Sequence, residues 1–516
     1  MHRCLKIPEV LWEIFSYLDP TRNPELLRGI ISEFNPTQTL EFSFGDRSTQ
    51  PTFCHLAKAA KTCKAFYLEC AGLMWRLATL GNLLVCLPDD LCVVDKSDSK
   101  NYTIRLVRPI RKEDWKRFSI YAARVKLLFS GADEWTLSNI LPTMALSLPP
   151  NTFPALKGIT WRHPGVQFSH IGTFLSPAIT TVSFRSTQES LSLLPILPSK
   201  CPYLRNVSII PDPDPNAWDS LEELHAISSF LCELSDAESM RVPQLNQAAM
   251  GHLSRMPSLT SLLFHRFSEA SDWSTAVHEQ GFTSLHTLQL LRPNVEDSTA
   301  LLQSFHHVPL KSLSVAFSNS AGPSQLDAFF SALSAGVLHP CLSDLWMQSQ
   351  DHSSQLPDGY HIENRTFRLL FSFCNFTSVA IHISGGFDLD DTIVLDLSCA
   401  WLLIEFLGLF EGVTHTRVTL ACLSSFAVNC PRLTQLEMLF NTTTIPRPPN
   451  AASTSVRTHR LETLVVCHSP LLLSHVDRTA RFLAAHFPAL KEIHAYEGVG
   501  RKSWDAVVRR HGRLCL

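Results

Sequence analysis

The feature that most constrains the fold of this chain is a motif of spaced leucines that recurs between residues 156 and 495. Most copies read Leu-x-x-Leu-x-Leu or a close variant, as in Pro-Ser-Leu-Thr-Ser-Leu-Leu-Phe at residues 257–264. The first Leu or Ile stands at positions 156, 179, 204, 259, 285, 310, 342, 433, 461 and 490. We expect the 55-residue interval after 204 to contain one blurred copy, and the 91-residue interval after 342 about three, one of them at Phe376.

A single unit of this kind cannot cover its own apolar face, so neighbouring units must stack and place their strands side by side. Helical segments lie between the motifs, and prolines before several motifs end each helix. The pattern resembles the leucine-rich repeat, in which each unit combines a strand with a helix. We therefore predict an α/β fold in which residues 121–516 form a leucine-rich-repeat solenoid, a horseshoe with a concave parallel sheet and outer helices. The alternative is an irregular mixed α/β domain with coincidental leucine spacing.

Side chains that alternate with the motif leucines are expected to point to the concave face, because successive residues of a strand face opposite sides of the sheet. Gln289, Trp346 and Glu437 are the candidate target-binding residues of this set. Trp346 is the foremost, since exposed aromatic side chains are common anchors of protein interfaces. The alternative for Trp346 is a buried position in which it only fills space.

The beginning of the chain has a helical pattern instead. Apolar residues recur at steps of three and four from Ile7 to Leu18, with Pro8 suited to the first turn. Residues 56–70 repeat the helical period, and the bulky segment Gly-Leu-Met-Trp-Arg-Leu at residues 72–77 closes it. The order of Ile-Pro-Glu-Val-Leu (7–11), Ile-Phe-Ser-Tyr-Leu (14–18), Cys-Lys-Ala-Phe (63–66) and Leu-Met-Trp-Arg-Leu (73–77) resembles the F-box of fungal-type F-box domain-containing proteins.

The resemblance implies a small all-helical module at residues 1–80 that docks on the Skp-type adaptor of a cullin-based ubiquitin ligase. It also implies the adaptor-binding residues, which are Pro8, Leu11, Ile14, Phe15, Leu18, Cys63, Phe66 and Trp75. Phe66 and Trp75 have an alternative role in the core of the module, because so small a domain needs its largest side chains for stability. The sequence departs from the family in two respects: Ile7 replaces the usual Leu, and a long loop is inserted at about 19–54.

Composition limits the other classes of function. The net charge is −3 and no concentrated basic stripe occurs, so we expect no nucleic-acid partner. The longest apolar run, residues 397–410, is too short to span a bilayer, and Lys6, Glu9 and Glu13 argue against a signal peptide. The cysteines lack Cys-x-x-Cys spacing, and those in apolar segments, such as Cys232, Cys399 and Cys422, are expected to be buried in a reducing compartment. We therefore predict no membrane association, no metal, no cofactor, and a cytoplasmic or nuclear protein.

The hypothesis that the chain is an enzyme depends on one motif. Asp388-Leu389-Asp390-Asp391 matches the acid motif of one class of terpene cyclases, where a neutral carboxyl protonates an alkene. The all-helical pattern of such an enzyme is absent, and clustered Asp in a loop is usually a solvated turn. We predict no catalytic residue.

Together these patterns predict an F-box at residues 1–80, an irregular linker at 81–120 with a short strand soon after it near 125–129, and the solenoid. The implied function is that of a substrate receptor. It would hold an unknown target protein on the repeats and reach a cullin through the adaptor. The alternative is a non-catalytic repeat scaffold that does not assemble a ligase.

Overall fold

The computed structural model describes residues 7–17, 54–95, 102–131, 135–137, 140–163, 165–211, 221–266, 273, 277–278, 280–319, 321–349, 362–383, 386–411, 416–447, 459–496 and 500–514. The chain divides into two compact units, Met1–Pro243 and Gln244–Leu516. Leu18 and most of the predicted insertion at 19–54 lie outside the described residues.

The first unit begins with three helices and continues as alternating strands and short helices. Its helices are α1 (Pro8–Ser16), α2 (Cys54–Ala60), α3 (Lys64–Met74), α4 (Leu80–Leu84), α5 (Trp115–Ala122), α6 (Leu141–Ser147), α7 (Gln188–Leu191), α8 (Leu197–Lys200) and α9 (Leu221–Glu233). Its strands are β1 (Leu77–Thr79), β2 (Cys92–Asp95), β3 (Tyr102–Leu106), β4 (Leu127–Ser130), β5 (Trp135–Thr136), β6 (Gly158–Trp161), β7 (Thr181–Arg185), β8 (Asn206–Ile210) and β9 (Ser239–Val242).

The main sheet of this unit is parallel throughout and follows chain order. Its strands pair as β1-β4-β6-β7-β8-β9. Strands β2, β3 and β5 form a separate small sheet, in which β2 and β3 are antiparallel. Because each strand pairs with the next along the main sheet, this unit has the stacking order of a repeat solenoid.

The second unit continues the same alternation. Its strands are β10 (Ser261–Phe264), β11 (Thr287–Leu291), β12 (Ser312–Phe317), β13 (Asp344–Ser349), β14 (Ile362–Glu363), β15 (Ser378–Ile383), β16 (Phe387–Asp388), β17 (Phe406–Glu411), β18 (Gln435–Met438), β19 (Thr463–Val465) and β20 (Glu492–His494). Its helices are α10 (Gln247–Ser254), α11 (Val295–Gln303), α12 (Pro323–Gly336), α13 (Asn364–Arg368), α14 (Asp391–Ala400), α15 (Leu423–Asn429), α16 (Val476–His486) and α17 (Arg501–Leu514).

The main sheet of the second unit is also parallel and ordered along the chain. Its strands pair as β10-β11-β12-β13-β15-β17-β18-β19-β20, while β14 and β16 pair with each other. Every predicted motif in both units is followed by a strand that begins two residues after its first Leu, Ile or Phe, as Leu285 precedes Thr287. These first positions are buried along the sheet. Each unit is therefore a leucine-rich-repeat-type stack, which confirms the predicted α/β repeat with a parallel sheet.

One hydrogen-bond arrangement recurs between the starts of neighbouring strands in both main sheets. The carbonyl of the residue before a strand accepts two amides from the next repeat, as Lys311 O does from Ser343 N and Asp344 N, both at 2.9 Å. The same arrangement joins Lys126 O to the amides of Lys157 and Gly158 in the first unit. It satisfies backbone groups at the sheet edge and fixes the register of neighbouring repeats.

The interior of the repeats is apolar and is closed by capped helices. A buried motif Leu contributes on the order of 1.5 to 3 kcal/mol, and Leu288, Leu313 and Leu345 are all buried. Asn294 caps α11, accepting a hydrogen bond from the Asp297 amide at 2.7 Å. The exposure of the cysteines varies more than expected. Cys422 is buried, but Cys232 and Cys399 are exposed because they lie on the solvent-facing sides of α9 and α14.

Three details differ from the sequence-based expectations. The 91-residue interval after position 342 adds two strands to the main sheet, β15 and β17, and not three, because β13, β15, β17 and β18 pair directly in that order. The main sheet of the first unit starts at Leu77, before the predicted linker at 81–120, because β1 pairs with β4. The strand expected near 125–129 is β4, which begins at Leu127.

Candidate protein-interaction surfaces

The helices α1, α2 and α3 pack around a core of their own. Leu11 and Phe15 of α1 are buried against Leu56, Cys70 and Leu73 of the other two helices. The Phe15 ring meets the half-buried Phe66 ring edge to face, with centroids 5.0 Å apart. Leu11 and Phe15, predicted as adaptor contacts, thus lie inside this helical cluster, because they occupy the centre of the apolar stripe of α1.

Apolar side chains remain exposed on both flanks of that stripe. Trp12 is 46% exposed on one flank, beside the exposed Pro8, and Ile14 is 45% exposed on the other flank, beside the exposed Ile7. Contiguous exposed apolar patches mark interaction surfaces, whereas single exposed apolar residues are common on any protein. We name this set, Ile7, Pro8, Trp12 and Ile14, the α1 surface. Sequence analysis missed Trp12 because it lies outside the three-and-four periodicity that the buried face follows.

The remaining predicted adaptor contacts have other surroundings. Cys63 is half-buried at the beginning of α3. Trp75 stacks on Tyr121 of α5, with ring centroids 4.6 Å apart, and the hydroxyl of Tyr67 donates to that of Tyr121 at 3.3 Å. Trp75 therefore connects the helical cluster to the repeats of its own unit. Leu18 lies outside the described residues.

The sheet of the second unit has one face directed to the helices and one directed away from them. Leu288, Leu313 and Leu345 lie on the helix side, so the residues that alternate with them form an open face. Strand register aligns one row of that face across the unit: Leu263, Gln289, Ser314, Trp346, Ala380, Gly408, Glu437, Val465 and His494. The three predicted target-binding residues, Gln289, Trp346 and Glu437, thus lie in a single row.

Trp346 lies at the edge of a small apolar cluster on the open face. It packs on Leu263, Leu291 and Ala316, and these contacts are separate from the helix-side core. Trp346 itself is half-buried, so part of its ring is accessible. The cluster holds the indole in place, which lowers the conformational entropy that a partner contact would cost.

A second set of rings continues from Trp346 along the same face. The His382 ring lies 6.4 Å from that of Trp346, and burial lowers the pKa of His382 to about 4, so it is neutral at physiological pH. The Phe406 ring lies across Gly408, where a Cβ would be 3.2 Å from the ring. Gly408 therefore leaves room for an aromatic side chain on the open face.

Glu437 is placed differently from Trp346. It is buried, and its carboxylate accepts a hydrogen bond from the Tyr496 hydroxyl at 2.8 Å. Burial raises the pKa of Glu437 above its ordinary value, whereas the Tyr496 bond acts in the opposite direction. The side chain links β18 to the segment that follows β20, and little of it is available to a target.

The acidic motif at residues 388–391 has a structural partner for each carboxylate. Asp388 forms an ion pair with Arg417 at 2.8 Å. Asp390 caps α14 by accepting from the amides of Thr392 and Ile393. Asp391 accepts from the amide and the hydroxyl of Thr419 at 2.7 and 2.6 Å. These bonds tie the beginning of α14 to the segment before α15.

One pair with a chemically suggestive arrangement was missed from sequence. The Ser130 hydroxyl lies 2.7 Å from Nε2 of His163, at the ends of β4 and β6. Both residues are buried, and burial lowers the pKa of His163 to about 4, which makes it a poor proton acceptor. The partners are 33 positions apart, so only the pairing of β4 with β6 could have revealed them.

Other kinds of site are not found in the part of the chain that the structure describes. No group of three or more His, Cys, Asp or Glu there could hold a metal ion. None of the helices described is long and apolar enough to cross a membrane.

Comparisons with known proteins find similarity among solved structures. No family model matches the chain, and no curated protein does. Among solved structures, the chain is similar to a leucine-rich-repeat protein of Leptospira interrogans, at 12% sequence identity and a TM-score of 0.35. The similarity covers 68% of this chain and 81% of that one. Both units are assigned to the repeat fold by their own strand order and core.

Proposed function

We propose that this chain is the substrate-recognition subunit of a Skp-cullin-F-box ubiquitin ligase. The observation that carries the proposal is the helical cluster of α1, α2 and α3. Its sequence order resembles the F-box, it has its own core, and it leaves apolar side chains exposed on α1. In this proposal the cluster docks on a Skp-type adaptor, and the repeats hold a target protein.

Such a receptor needs no reactive group of its own. A ubiquitin-conjugating enzyme carried by the ligase would perform the transfer, and the receptor would raise the effective concentration of a target lysine near the thioester. The open face of the second unit suits target binding, because Trp346 offers a partly accessible ring held by its neighbours. Gln289 lies two strands away in the same row.

The structure changes which residues the proposal assigns to the adaptor contact. We assign direct contact to the α1 surface and a supporting role to Leu11 and Phe15. A Leu11→Asp, Phe15→Asp variant would place two charges in the core of the cluster and unfold it. Loss of adaptor binding in that variant would therefore not distinguish contact from folding.

The test uses surface substitutions instead. Trp12→Asp with Ile14→Asp should reduce adaptor capture by tenfold or more in a co-purification, because both positions are exposed and apolar. Leu146→Asp is the matched control, since Leu146 is 91% exposed on α6 of the same unit. Undiminished capture by the double variant, with the control also unchanged, would remove the assigned surface.

A second candidate function is a repeat scaffold that does not assemble a ligase. The observation that favours it is the open face itself. Its row of aligned side chains is formed entirely by strands of the second unit and needs no adaptor to form. In that case Trp346→Ala would weaken capture of a partner, whereas substitutions on the α1 surface would leave it unchanged.

A further inference from the structure

Basic side chains occupy four of six repeat positions at one edge of the first unit. The positions are those immediately before each strand of the main sheet, and the carbonyls of the first five accept two amides from the next repeat. In order along the sheet they are Arg76, Lys126, Lys157, Thr180, Arg205 and Glu238. Neighbouring strands are about 4.8 Å apart, so these residues follow one another at that interval. We name this set the strand-start row.

The repeat geometry does not require these basic residues. The same positions of the second unit carry Thr260, His286, Lys311, Ser343, Thr377, Glu405, Thr434, Glu462 and Lys491, which are mostly neutral or acidic. The carbonyls of the first eight make the same pair of hydrogen bonds. The basic character of the first unit is therefore a property of its surface and not of the fold.

The strand-start row also lines a groove. Lys157, Thr180, Arg205 and Glu238 border a groove of about 560 Å³, together with Tyr203, which is 68% exposed. An exposed tyrosine beside basic side chains combines an apolar contact with a hydroxyl that can form hydrogen bonds. Tyrosine and arginine are both enriched at protein interfaces.

The two lysines of the row are available to a partner. Lys126 and Lys157 are exposed and form no ion pair with the residues described. Arg205 pairs with Glu238 at 2.8 Å, but both side chains are well exposed, and such pairs contribute little to stability. An incoming carboxylate can therefore replace Glu238 at small cost.

We propose that the strand-start row binds an extended acidic segment of a partner protein. From Lys126 to Arg205 the row covers three strand intervals, about 14 Å, which a stretch of four or five extended residues matches. Glu238 closes the row and Asp236 lies beside Arg205, so the positive region is short. A long polyanion such as nucleic acid would meet these acids and the net negative charge of the chain.

This inference adds a partner chemistry to the proposed function and rests on it only in treating the chain as a receptor for proteins. Peptide binding is measured on the full chain without any adaptor. If the peptide does not bind, the proposal of adaptor docking still stands. If the adaptor does not bind, the proposal of peptide binding at the strand-start row still stands.

The experiment measures fluorescence anisotropy of two labelled peptides that differ only in charge. One carries glutamates at alternate positions and the other carries glutamines at those positions. The glutamate peptide should bind threefold or more tightly at about 50 mM salt, and its advantage should shrink at about 300 mM. Lys126→Gln with Lys157→Gln should remove roughly threefold or more of that binding, the scale of two exposed charge pairs.

The control is Lys311→Gln with Lys491→Gln, which removes two exposed lysines from the same repeat position of the second unit. This control should bind the glutamate peptide as the native chain does. Equal affinity for the two peptides, equal losses in both double variants, or tighter binding of a short single-stranded DNA at the same lysines would each overturn the proposal.

Discussion

Individual side chains of α1 differ from their expected roles because the helix has apolar residues on both its packed face and its exposed face. The apolar residues of α1 cover more than one side of the helix, so sequence alone cannot separate the face that packs on α2 and α3 from the face left exposed. The structure buries Leu11 and Phe15 and exposes Trp12 and Ile14. The consequence is that the proposed adaptor contact belongs to the flanks of the apolar stripe.

Glu437 gives a prediction at the same scale. Because burial raises its pKa in the folded protein, the stability it contributes is fully present below the ordinary pKa of Glu and is lost as the pH rises through the raised value. Glu437→Gln stays neutral and can still accept the Tyr496 hydrogen bond. The variant should therefore gain thermal stability over the native chain at pH 7.5.

The midpoint of thermal unfolding at two pH values checks this. At about pH 4 the two proteins should unfold at nearly the same temperature, since Glu437 is then protonated in the native chain. Near pH 7.5 the variant should have the higher midpoint, and each 1 kcal/mol would move it by about 2 to 4 °C in a unit of this size. The same difference at both pH values would show that the ionisation of Glu437 carries no cost.

Among the secondary-structure elements, α14 shows how the acidic motif acts. Asp390→Ala should lower the free energy of unfolding by about 0.5 to 2 kcal/mol, because it removes the acceptor for two amides at the beginning of the helix. Asp396→Ala in the same helix is the control. It breaks only an exposed ion pair with Arg368 and should cost less than about 1 kcal/mol.

Denaturant titration of the two variants measures these costs. A loss in Asp390→Ala no greater than in Asp396→Ala would contradict the capping role of the motif. The prediction concerns stability alone, since each of the three carboxylates has a bonding partner at this helix end.

Strands were more predictable from sequence than surfaces. Repeated Leu spacing predicted most strands of the main sheets to within a residue, because the motif leucines must fill one continuous interior. β17 was missed although Ile404, Leu407 and Leu409 fit the motif, since it lies in a long apolar run. β1 was missed because Leu77 also completes the helical module. Gly408 and Phe406 show what the sequence could not predict. The position of a ring on the open face depends on how neighbouring strands pack.

At the scale of the whole molecule, the proposed interaction surfaces belong to two different units. The first unit combines the helical cluster with the strand-start row, and the second has an open face with Trp346. Sequence predicted the helical cluster and the repeats because both have strong periodic patterns. It could not predict the strand-start row, because Lys126, Lys157 and Arg205 are far apart in the chain and become neighbours only through strand pairing.

The proposed function requires first that the helical cluster docks on a Skp-type adaptor. The most direct measurement is size-exclusion chromatography with light scattering of the chain co-expressed with that adaptor, compared with a chain lacking residues 1–74 so that β1 is retained. We expect one peak with the mass of a 1:1 complex, 57.8 kDa plus the adaptor, for the full chain only. Separate elution of a folded full chain and the adaptor would contradict the claim.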